Sequence, residues 1–391
     1  MLDPIVAFFA RLFGWIGRGI GFLIGILLWP FMWLTSWYTK RNLLIKAVFG
    51  LAIVGLVAFY GYFVFQTQVW SNFDPDYPEN RIAADTGKTL AGAVVGADAS
   101  AALSAAESAA TGSGGTQPLQ GANTCQRSSI VDVTAFLIDF NVNQNAWIPS
   151  MLASKLGFFG IPWRNTPFLD NKAAFQLGIN QAIRRTTIEL VDTLGRVRGT
   201  SQIDQGLQSA RENMNWGETV WYVGSNGLTR PTPGAYRAAL STLEDFNNRL
   251  GQCNATFDAR ADNLLVFLDR ISGDIGSTSD ILRSQIQASD AGWLDPRADD
   301  RFWFAYGQLY AYYGLLKATH VDFNAVINDR NLRQIWDNTE SQLRSALDMQ
   351  PWIISNGSES SFIFPSHLAT LGFNLLRVRS QLVEIRGILD R

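Results

Sequence analysis

The sequence predicts an all-α protein with N-terminal membrane helices, a flexible tether and an elongated helical bundle with long heptad-patterned helices. Two uncharged apolar stretches lie near the N-terminus, and a stretch rich in Ala, Ser and Gly follows them. The rest of the chain repeats apolar residues every three or four positions, without strand-like alternation. The expected boundaries are a Gly/Trp-rich interfacial or membrane-inserted segment at 1–40, a transmembrane helix at 41–70, a flexible linker at 71–124 and a helical extracytoplasmic domain at 125–391.

The first apolar stretch, Gly19 to Thr39, is compatible with two arrangements. It is long enough to span a bilayer, but Pro30 would kink or break a helix there. Three tryptophans recur at i, i+4 and i+8 and therefore share one helix face: Trp29, Trp33 and Trp37. Such a helix suits the membrane interface or one leaflet. That arrangement and a true span both stay open.

Glycines on the same segment predict helix association. Gly17, Gly21 and Gly25 form two GxxxG steps in register. Backbones that lack side chains on one face can approach closely in lipid. We therefore expect self-association, or docking on a partner's membrane helix. The segment has two apolar blocks and no evident early cleavage site, so it should be retained rather than removed as a signal peptide.

The second apolar stretch predicts a membrane crossing. Ala47 to Phe65 contains no charge and, at about 1.5 Å per residue, spans a hydrocarbon core of about 30 Å. Lys40, Arg41 and Lys46 precede it, and the next basic residue is Arg81. Short basic flanks stay cytoplasmic, so the residues after the helix should lie outside.

The linker is recognised by its composition. No aromatic residue occurs from Pro78 to Ala135, and residues 97–115 are almost entirely Ala, Ser and Gly. Such a segment buries too little apolar surface to offset its ordering entropy. We therefore expect a flexible tether of about 40 residues that lets the domain stand off the membrane.

Helical periodicity is clearest in two parts of the domain. From Leu368 to Leu389 apolar residues alternate by three and four over three heptads. The same spacing runs through Gly234 to Ile275 without a proline, which predicts one continuous helix of about 60 Å. Shorter helices are expected at 129–140, 146–158, 171–194, 203–215, 301–319 and 331–348.

Charge argues against nucleic-acid binding. The chain carries a net charge of −2, and residues 1–70 contain five basic residues and one acidic residue, so the remainder is acidic. Nucleic-acid binding requires a basic surface. The partners expected are instead the membrane and either further copies of the chain or another membrane protein.

Cysteine and histidine give few chemical signals. Cys125 and Cys253 both follow the crossing, where an oxidising compartment favours a disulfide; the alternative is one buried and one exposed thiol. His320 and His367 have no second His or Cys within five residues, so no metal site is expected. Phosphate-binding and nucleophile-elbow motifs are absent from the sequence, and no catalytic residue or cofactor is predicted.

An acidic and aromatic stretch at 295–313 allows two interpretations. Asp299 or Asp300 is a natural N-terminal capping residue, but carboxylates beside aromatic rings also occur in glycan hydrolysis. Tyr306 and Tyr310 share a helix face, which suits a central core helix or a groove for lipid, glycan or a partner helix.

The proline-containing loop from Gly160 to Phe168 is the expected partner surface. Trp163 and Arg164 should be exposed there, and both residue types are common anchors at interfaces. Trp163, Arg164, Asp299, Tyr306 and Tyr310 are therefore the candidate partner or ligand surface.

Three features of the sequence occur together: a basic break between two apolar blocks, an FQLG-x-N segment at Phe175 to Asn180 and a Trp-rich helical C-terminal domain. In these features the chain resembles a family of uncharacterised membrane-anchored proteins of Gram-negative bacteria. The resemblance implies an inner-membrane position and a periplasmic domain, and it transfers no catalytic residues. We expect a non-enzymatic scaffold or accessory subunit of an envelope assembly. The alternative is a lipid- or glycan-handling protein that uses residues 295–313.

Overall fold

The computed structural model describes residues 15, 25, 29, 32–33, 35–82, 126–163, 166, 168–196, 202–224, 227–288, 295, 297–357 and 366–391. Its helices are α1 (Leu43–Gln68), α2 (Ser129–Asp139), α3 (Leu152–Leu156), α4 (Asn171–Glu189), α5 (Gln205–Met214), α6 (Thr232–Gly251), α7 (Ala261–Ala288), α8 (Ala298–Asp322), α9 (Asn324–Asp329), α10 (Arg333–Leu347) and α11 (His367–Leu389). Two π-helical segments, Phe140–Gln144 and Leu190–Leu194, continue α2 and α4, and Ile148–Ser150 forms a 3₁₀ turn. The predicted all-α class is confirmed.

The chain divides into two compact units, Met1–Tyr62 and Phe63–Arg391. Within the first unit, residues 35–39 are helical and α1 begins after a short break. The Arg41 guanidinium lies 4.9 Å from the Trp37 ring centroid, and Trp37 and Tyr38 contact the Phe49 ring. Among the described residues, α1 is the one helix long and apolar enough to cross a membrane.

The structure does not describe most of the glycines predicted to mediate membrane association. Gly17 and Gly21 lie outside the described residues, as does much of the stretch 19–39. Trp29 and Trp33 are well exposed, which fits either arrangement of that stretch. Interfacial and spanning placements therefore both remain predictions.

The second unit is built around α4 and α8, which cross with their backbones in contact. A methyl carbon added to Gly178 of α4 would lie 2.0 Å from the Phe304 carbonyl oxygen, and one added to Gly307 of α8 would lie 2.1 Å from the Phe175 oxygen. Because α8 is surrounded by other helices, its large side chains are buried on nearly every side, as its composition predicted.

Polar side chains fix the helix starts and cross-link the core. Ser128, Asp204 and Ser366 cap α2, α5 and α11 by accepting a hydrogen bond from a backbone N–H in the first turn. Inside the unit, Asp274 of α7 accepts hydrogen bonds from the Arg185 guanidinium on α4 and, at 2.8 Å, from the Tyr312 hydroxyl on α8. This carboxylate therefore ties three helices together.

The predicted continuous helix over 234–275 is wrong. The chain leaves the helix at Gly251, and Cys253 has a positive φ of 58° in the turn that follows. The periodicity continues across the break because Phe257 of the connecting loop also packs on the core, against Phe323. Cys253 is thus an exposed turn residue rather than a core helix residue. Cys125 lies outside the described residues, so the disulfide stays a prediction.

One short hairpin was not predicted. Val223–Gly224 (β1) pairs antiparallel with Gly227–Leu228 (β2). Strands of two residues each carry too little alternation to be detected in a sequence.

Candidate functional site: the anchor dock

The last turns of α1 are built into the domain. Phe63 is 1% exposed, and its ring lies 5.0 Å from that of Trp163. Thr67 is also buried, and the Gln68 side-chain amide donates to the Phe168 carbonyl at 2.7 Å. We call residues 63–82, together with the faces of α4 and α8 that receive them, the anchor dock.

Lys172 closes the C-terminal end of α1. Its ammonium group donates to the carbonyl oxygens of Gln66 at 2.9 Å and Val69 at 2.6 Å. These carbonyls have no partner inside the helix, and a cation is favourable at a helix C-terminus. Burial lowers the pKa of Lys172 to about 8. This buried lysine therefore fixes the position of the C-terminal end of α1.

Aromatic residues after α1 enter the core at helical spacing. Trp70 packs on Phe175 of α4, with ring centroids 4.9 Å apart, and Phe73 stacks on Tyr310 of α8 at 5.4 Å. Tyr77 also contacts Tyr310, at 4.7 Å. The aromatic face of α8 therefore receives the chain that leaves the apolar helix.

Hydrogen bonds make the dock specific. The Tyr77 hydroxyl donates to the Tyr310 carbonyl at 3.2 Å, and the Tyr310 hydroxyl donates to the Asp74 carbonyl at 3.0 Å. Gly314 provides the space, because a methyl carbon there would lie 1.9 Å from the Tyr77 hydroxyl oxygen. These contacts favour one register of the segment on α8.

Ion pairs hold the rest of the segment. The Arg81 guanidinium pairs with Asp132 of α2 at 2.9 Å, and Arg344 of α10 pairs with Asp76 at 2.6 Å. Glu79 accepts from Lys317 at 3.3 Å. Both guanidinium–carboxylate pairs use two nitrogens, a geometry that fixes orientation.

The linker prediction therefore needs correction at residues 71–82. This segment has charged and polar residues that resemble a linker, but its aromatic residues belong to the core of the second unit. Residues 83–125 lie outside the described part of the chain. The described residues on both sides of them belong to this one unit, because residue 82 is the last residue of the dock and the Ser128 hydroxyl donates to Asp322 of α8. The described residues 69–82, and not the low-complexity stretch, therefore connect α1 to the core of the second unit.

The predicted partner surface is largely interior. Tyr306 and Tyr310 are 0% exposed and Asp299 is 4% exposed, because α8 is covered by the dock and by neighbouring helices. Trp163 is also buried, with its indole N–H donating to the Ala153 carbonyl. Arg164 lies outside the described residues. The expectation of an exposed Trp163 was wrong, whereas the burial of Tyr306 and Tyr310 agrees with the core-helix alternative.

Carboxyl groups gather where α4 and α8 begin. Asp170 directly precedes α4, and Asp299 and Asp300 lie in the first turn of α8. Arg297 rather than Asp299 occupies the N-cap position. Burial, with the nearby Asp300 and Asp299 charges, raises the pKa of Asp170. Burial and Asp300 raise the pKa of Asp299 to about 7.

Because the Asp170 carboxyl stays neutral in the folded protein, the free energy of unfolding should depend on pH. The unfolded carboxyl loses its proton near pH 4, whereas the folded one keeps it to much higher pH. Stability should therefore fall as pH rises above about 4. Asp170→Asn keeps the shape without the ionisation, so we expect it to be at least as stable as wild type near neutral pH. Its loss of stability between about pH 5 and about pH 8 should also be smaller.

Thermal unfolding of the full chain in detergent at both pH values measures this effect. Asp269→Asn is the matched control, because Asp269 is a half-exposed carboxylate that pairs with Arg386 on the surface. An Asp170→Asn variant that loses as much stability as wild type over the same pH range would contradict the assignment.

A second polar cluster, on α8 and α10, combines histidine with carboxylates. Donor atoms of His320, Asp337 and Glu340 lie within 4.8 Å of one another, which is close enough to hold a metal ion. Both Glu340 oxygens already have partners, however: His320 at 3.0 Å and the Lys317 ammonium at 3.0 Å. In the described structure these contacts make the group an ion-pair network. Sequence analysis missed it because its members lie on two different helices.

Comparison with known proteins identifies one family. The family described as "Uncharacterized protein conserved in bacteria (DUF2333)" matches residues 161–292, from the loop before α4 to just beyond α7. No curated protein and no solved structure matches the chain. The Phe175 to Asn180 segment lies inside the matched stretch. Over residues 161–292 the chain is therefore similar to an uncharacterised bacterial family.

Proposed function

We propose that the protein is a membrane-anchored, non-enzymatic scaffold or accessory subunit of a bacterial envelope assembly. α1 crosses the inner membrane, and the helical domain lies in the periplasm. The anchor dock is the observation that carries this proposal. Retention at a membrane requires only a linker, whereas here the residues after the apolar helix are core residues bound through Lys172 and Tyr310. Such a junction fixes the domain at the end of its anchor, as an assembly component requires.

Charge supports the orientation. Lys40, Arg41 and Lys46 precede the central part of α1, and basic residues in short flanks stay in the cytoplasm. Spheroplasts that carry the full chain with a C-terminal tag test this. External protease should remove the tag while a cytoplasmic marker stays intact. A tag that is degraded only after lysis would overturn the periplasmic placement.

Self-association is the second part of the proposal. The full chain and its Gly21→Leu variant can be purified in nanodiscs and compared by mass, with bound proteins identified by mass spectrometry. We expect wild type to form an oligomer or to retain a stoichiometric membrane partner, and Gly21→Leu to lose it. Equal masses and equal partners would exclude the Gly17–Gly25 face as the contact.

Lipid or glycan handling is the other candidate. It is favoured by Asp170 and Asp299, because raised carboxyl pKa values are common at catalytic sites. Against it, Tyr306 and Tyr310 can contact no ligand unless the dock opens. An Asp299→Asn variant that folds normally but loses an envelope phenotype would favour this candidate over the scaffold.

A further inference from the structure

Five large apolar side chains are exposed at the end of α3 and on the loop that follows it in the second unit. The loop follows α3 and precedes α4. The exposed residues and their exposed fractions are Leu156 (52%), Phe158 (49%), Phe159 (68%), Ile161 (57%) and Phe168 (49%). Exposed apolar residues are usually scattered, whereas a contiguous group marks a binding surface.

The loop is ordered by a tight reverse turn. The Phe158 N–H donates to the Ile161 carbonyl at 2.9 Å, and the Ile161 N–H donates back at 3.0 Å. The two central residues, Phe159 and Gly160, have φ values of 51° and 93°. Positive φ at both positions defines a primed hairpin turn, which normally selects Asn, Asp or Gly. Gly157 completes it, because a methyl carbon there would lie 2.3 Å from the Ile161 oxygen.

Phenylalanine is an unusual residue for the left-handed backbone conformation at position 159. A bulky side chain in the left-handed region is strained, and Phe159 stays mostly exposed, so burial within the unit does not offset the strain. The Phe159 ring packs edge-on against Phe158, with centroids 4.9 Å apart, but most of its surface stays available for a contact outside the chain.

The loop also contacts the end of α1. Trp163 packs on Phe63, and Phe168 accepts a hydrogen bond from Gln68. The Phe158 ring lies 6.0 Å from that of Trp163, so the exposed group continues directly from this contact. Phe63 and Gln68 lie at the C-terminal end of α1, about 8 Å apart along the helix axis. The loop therefore lies beside the end of the apolar helix.

We propose that this loop is a second lipid-binding element, which inserts its aromatic and aliphatic side chains into the interfacial zone of the bilayer beside α1. The inference rests on the proposed function, because it requires α1 to cross the membrane. Aromatic rings and short apolar turns suit the headgroup boundary, and the exposed Lys155 at the base of the turn suits anionic headgroups. The domain is then held at the membrane by two contacts, which prevents it from rotating about α1.

Photo-crosslinking of the full chain in nanodiscs of phosphatidylcholine and phosphatidylglycerol tests the inference. The photoreactive amino acid p-benzoylphenylalanine replaces one residue at a time. Val57 of α1 reports insertion of the helix, and Phe159 reports the loop. Asp262 is the matched control, because its side chain is exposed and it lies in the first turn of α7, far along α4 from the loop. The nearby Asp258 backbone N–H donates to the carbonyl of Leu194, just beyond the C-terminal end of α4.

We expect lipid adducts at positions 57 and 159, several-fold above those at position 262. Lipid adducts at 57 without adducts at 159, or a protein adduct at 159 in native membranes, would overturn the inference and leave the proposed function standing. No lipid adduct at 57 would overturn both.

Phe159→Asn separates lipid binding from folding, because Asn tolerates the left-handed region. This variant should melt no lower than wild type in detergent, while hydrogen exchange of residues 156–161 in nanodiscs should become faster. A clear loss of thermal stability in detergent, with unchanged exchange in nanodiscs, would show that Phe159 serves the fold instead.

Discussion

Replacing Gly307 by alanine is expected to reduce the free energy of unfolding by more than about 3 kcal/mol, or to prevent folding. The added methyl carbon would lie 2.1 Å from the Phe175 carbonyl oxygen and 2.9 Å from the Phe175 carbonyl carbon. Both are backbone atoms of α4, so no change of rotamer relieves the overlap. The α4–α8 crossing would have to open, and the anchor dock rests on both helices.

Gly273→Ala is the matched control for this prediction. Gly273 lies within α7, and an added methyl carbon would have no neighbour within 4 Å. Since alanine favours the helix by up to about 1 kcal/mol, this variant should be slightly more stable than wild type. Circular dichroism melting of the full chain in detergent compares the two. A Gly307→Ala variant that melts with wild type would show that α4 and α8 do not cross this closely.

The crossing explains the FQLG-x-N segment on which the family resemblance depends. Gly178 allows the contact with Phe304, and Phe175 is fully buried beneath the dock. The Gln176 amide donates to the Ala146 carbonyl and accepts from the Ile148 N–H, while Asn180 donates to the Tyr236 hydroxyl. These residues are structural, so the segment identifies a packing arrangement and does not indicate a catalytic site.

Helix positions could be predicted from sequence because apolar periodicity and capping residues are local signals. Ser366, for example, starts α11 close to the predicted boundary. The turn at 252–260 could not be predicted from the sequence, because Phe257 continues the apolar repeat outside a helix. Apolar periodicity indicates which residues are buried. A buried loop residue that falls on the same three-and-four spacing is therefore predicted as part of a helix.

The dock could be predicted only in part. The sequence indicated that α8 is central, but not that Trp70, Phe73 and Tyr77 cover it. These three residues are spaced by three and four, so a signal was available. Trp70, however, lay at the end of the predicted transmembrane helix, and Phe73 and Tyr77 lay in the segment assigned to the linker. Lys172 and Asp170 gave no local signal, because their partners are more than 100 residues away in the chain. Sites assembled from distant elements need the tertiary structure.

Tyr77→Ala is the second variant with a large expected effect. Tyr77 is 3% exposed and fills the space between Tyr310 and Phe136, so truncation should cost about 3–5 kcal/mol through cavity formation. It also removes the hydrogen bond to the Tyr310 carbonyl. The lost free energy mainly destabilises the segment that joins α1 to the domain. Residues 70–82 should therefore become sensitive to protease before the rest of the domain unfolds.

Limited proteolysis of the full chain in nanodiscs, with the cut sites identified by mass spectrometry, measures that release. Tyr222→Ala is the control, because Tyr222 is 59% exposed outside the dock and its truncation should leave the cleavage pattern unchanged. Gly314→Ala keeps the tyrosine but fills the space that receives its hydroxyl, and should expose the same cut sites. If both Tyr77→Ala and Gly314→Ala stay as resistant as wild type between residues 70 and 82, the dock does not hold the anchor to the domain. Attachment would then depend on the contacts of Lys172 and Trp163 alone.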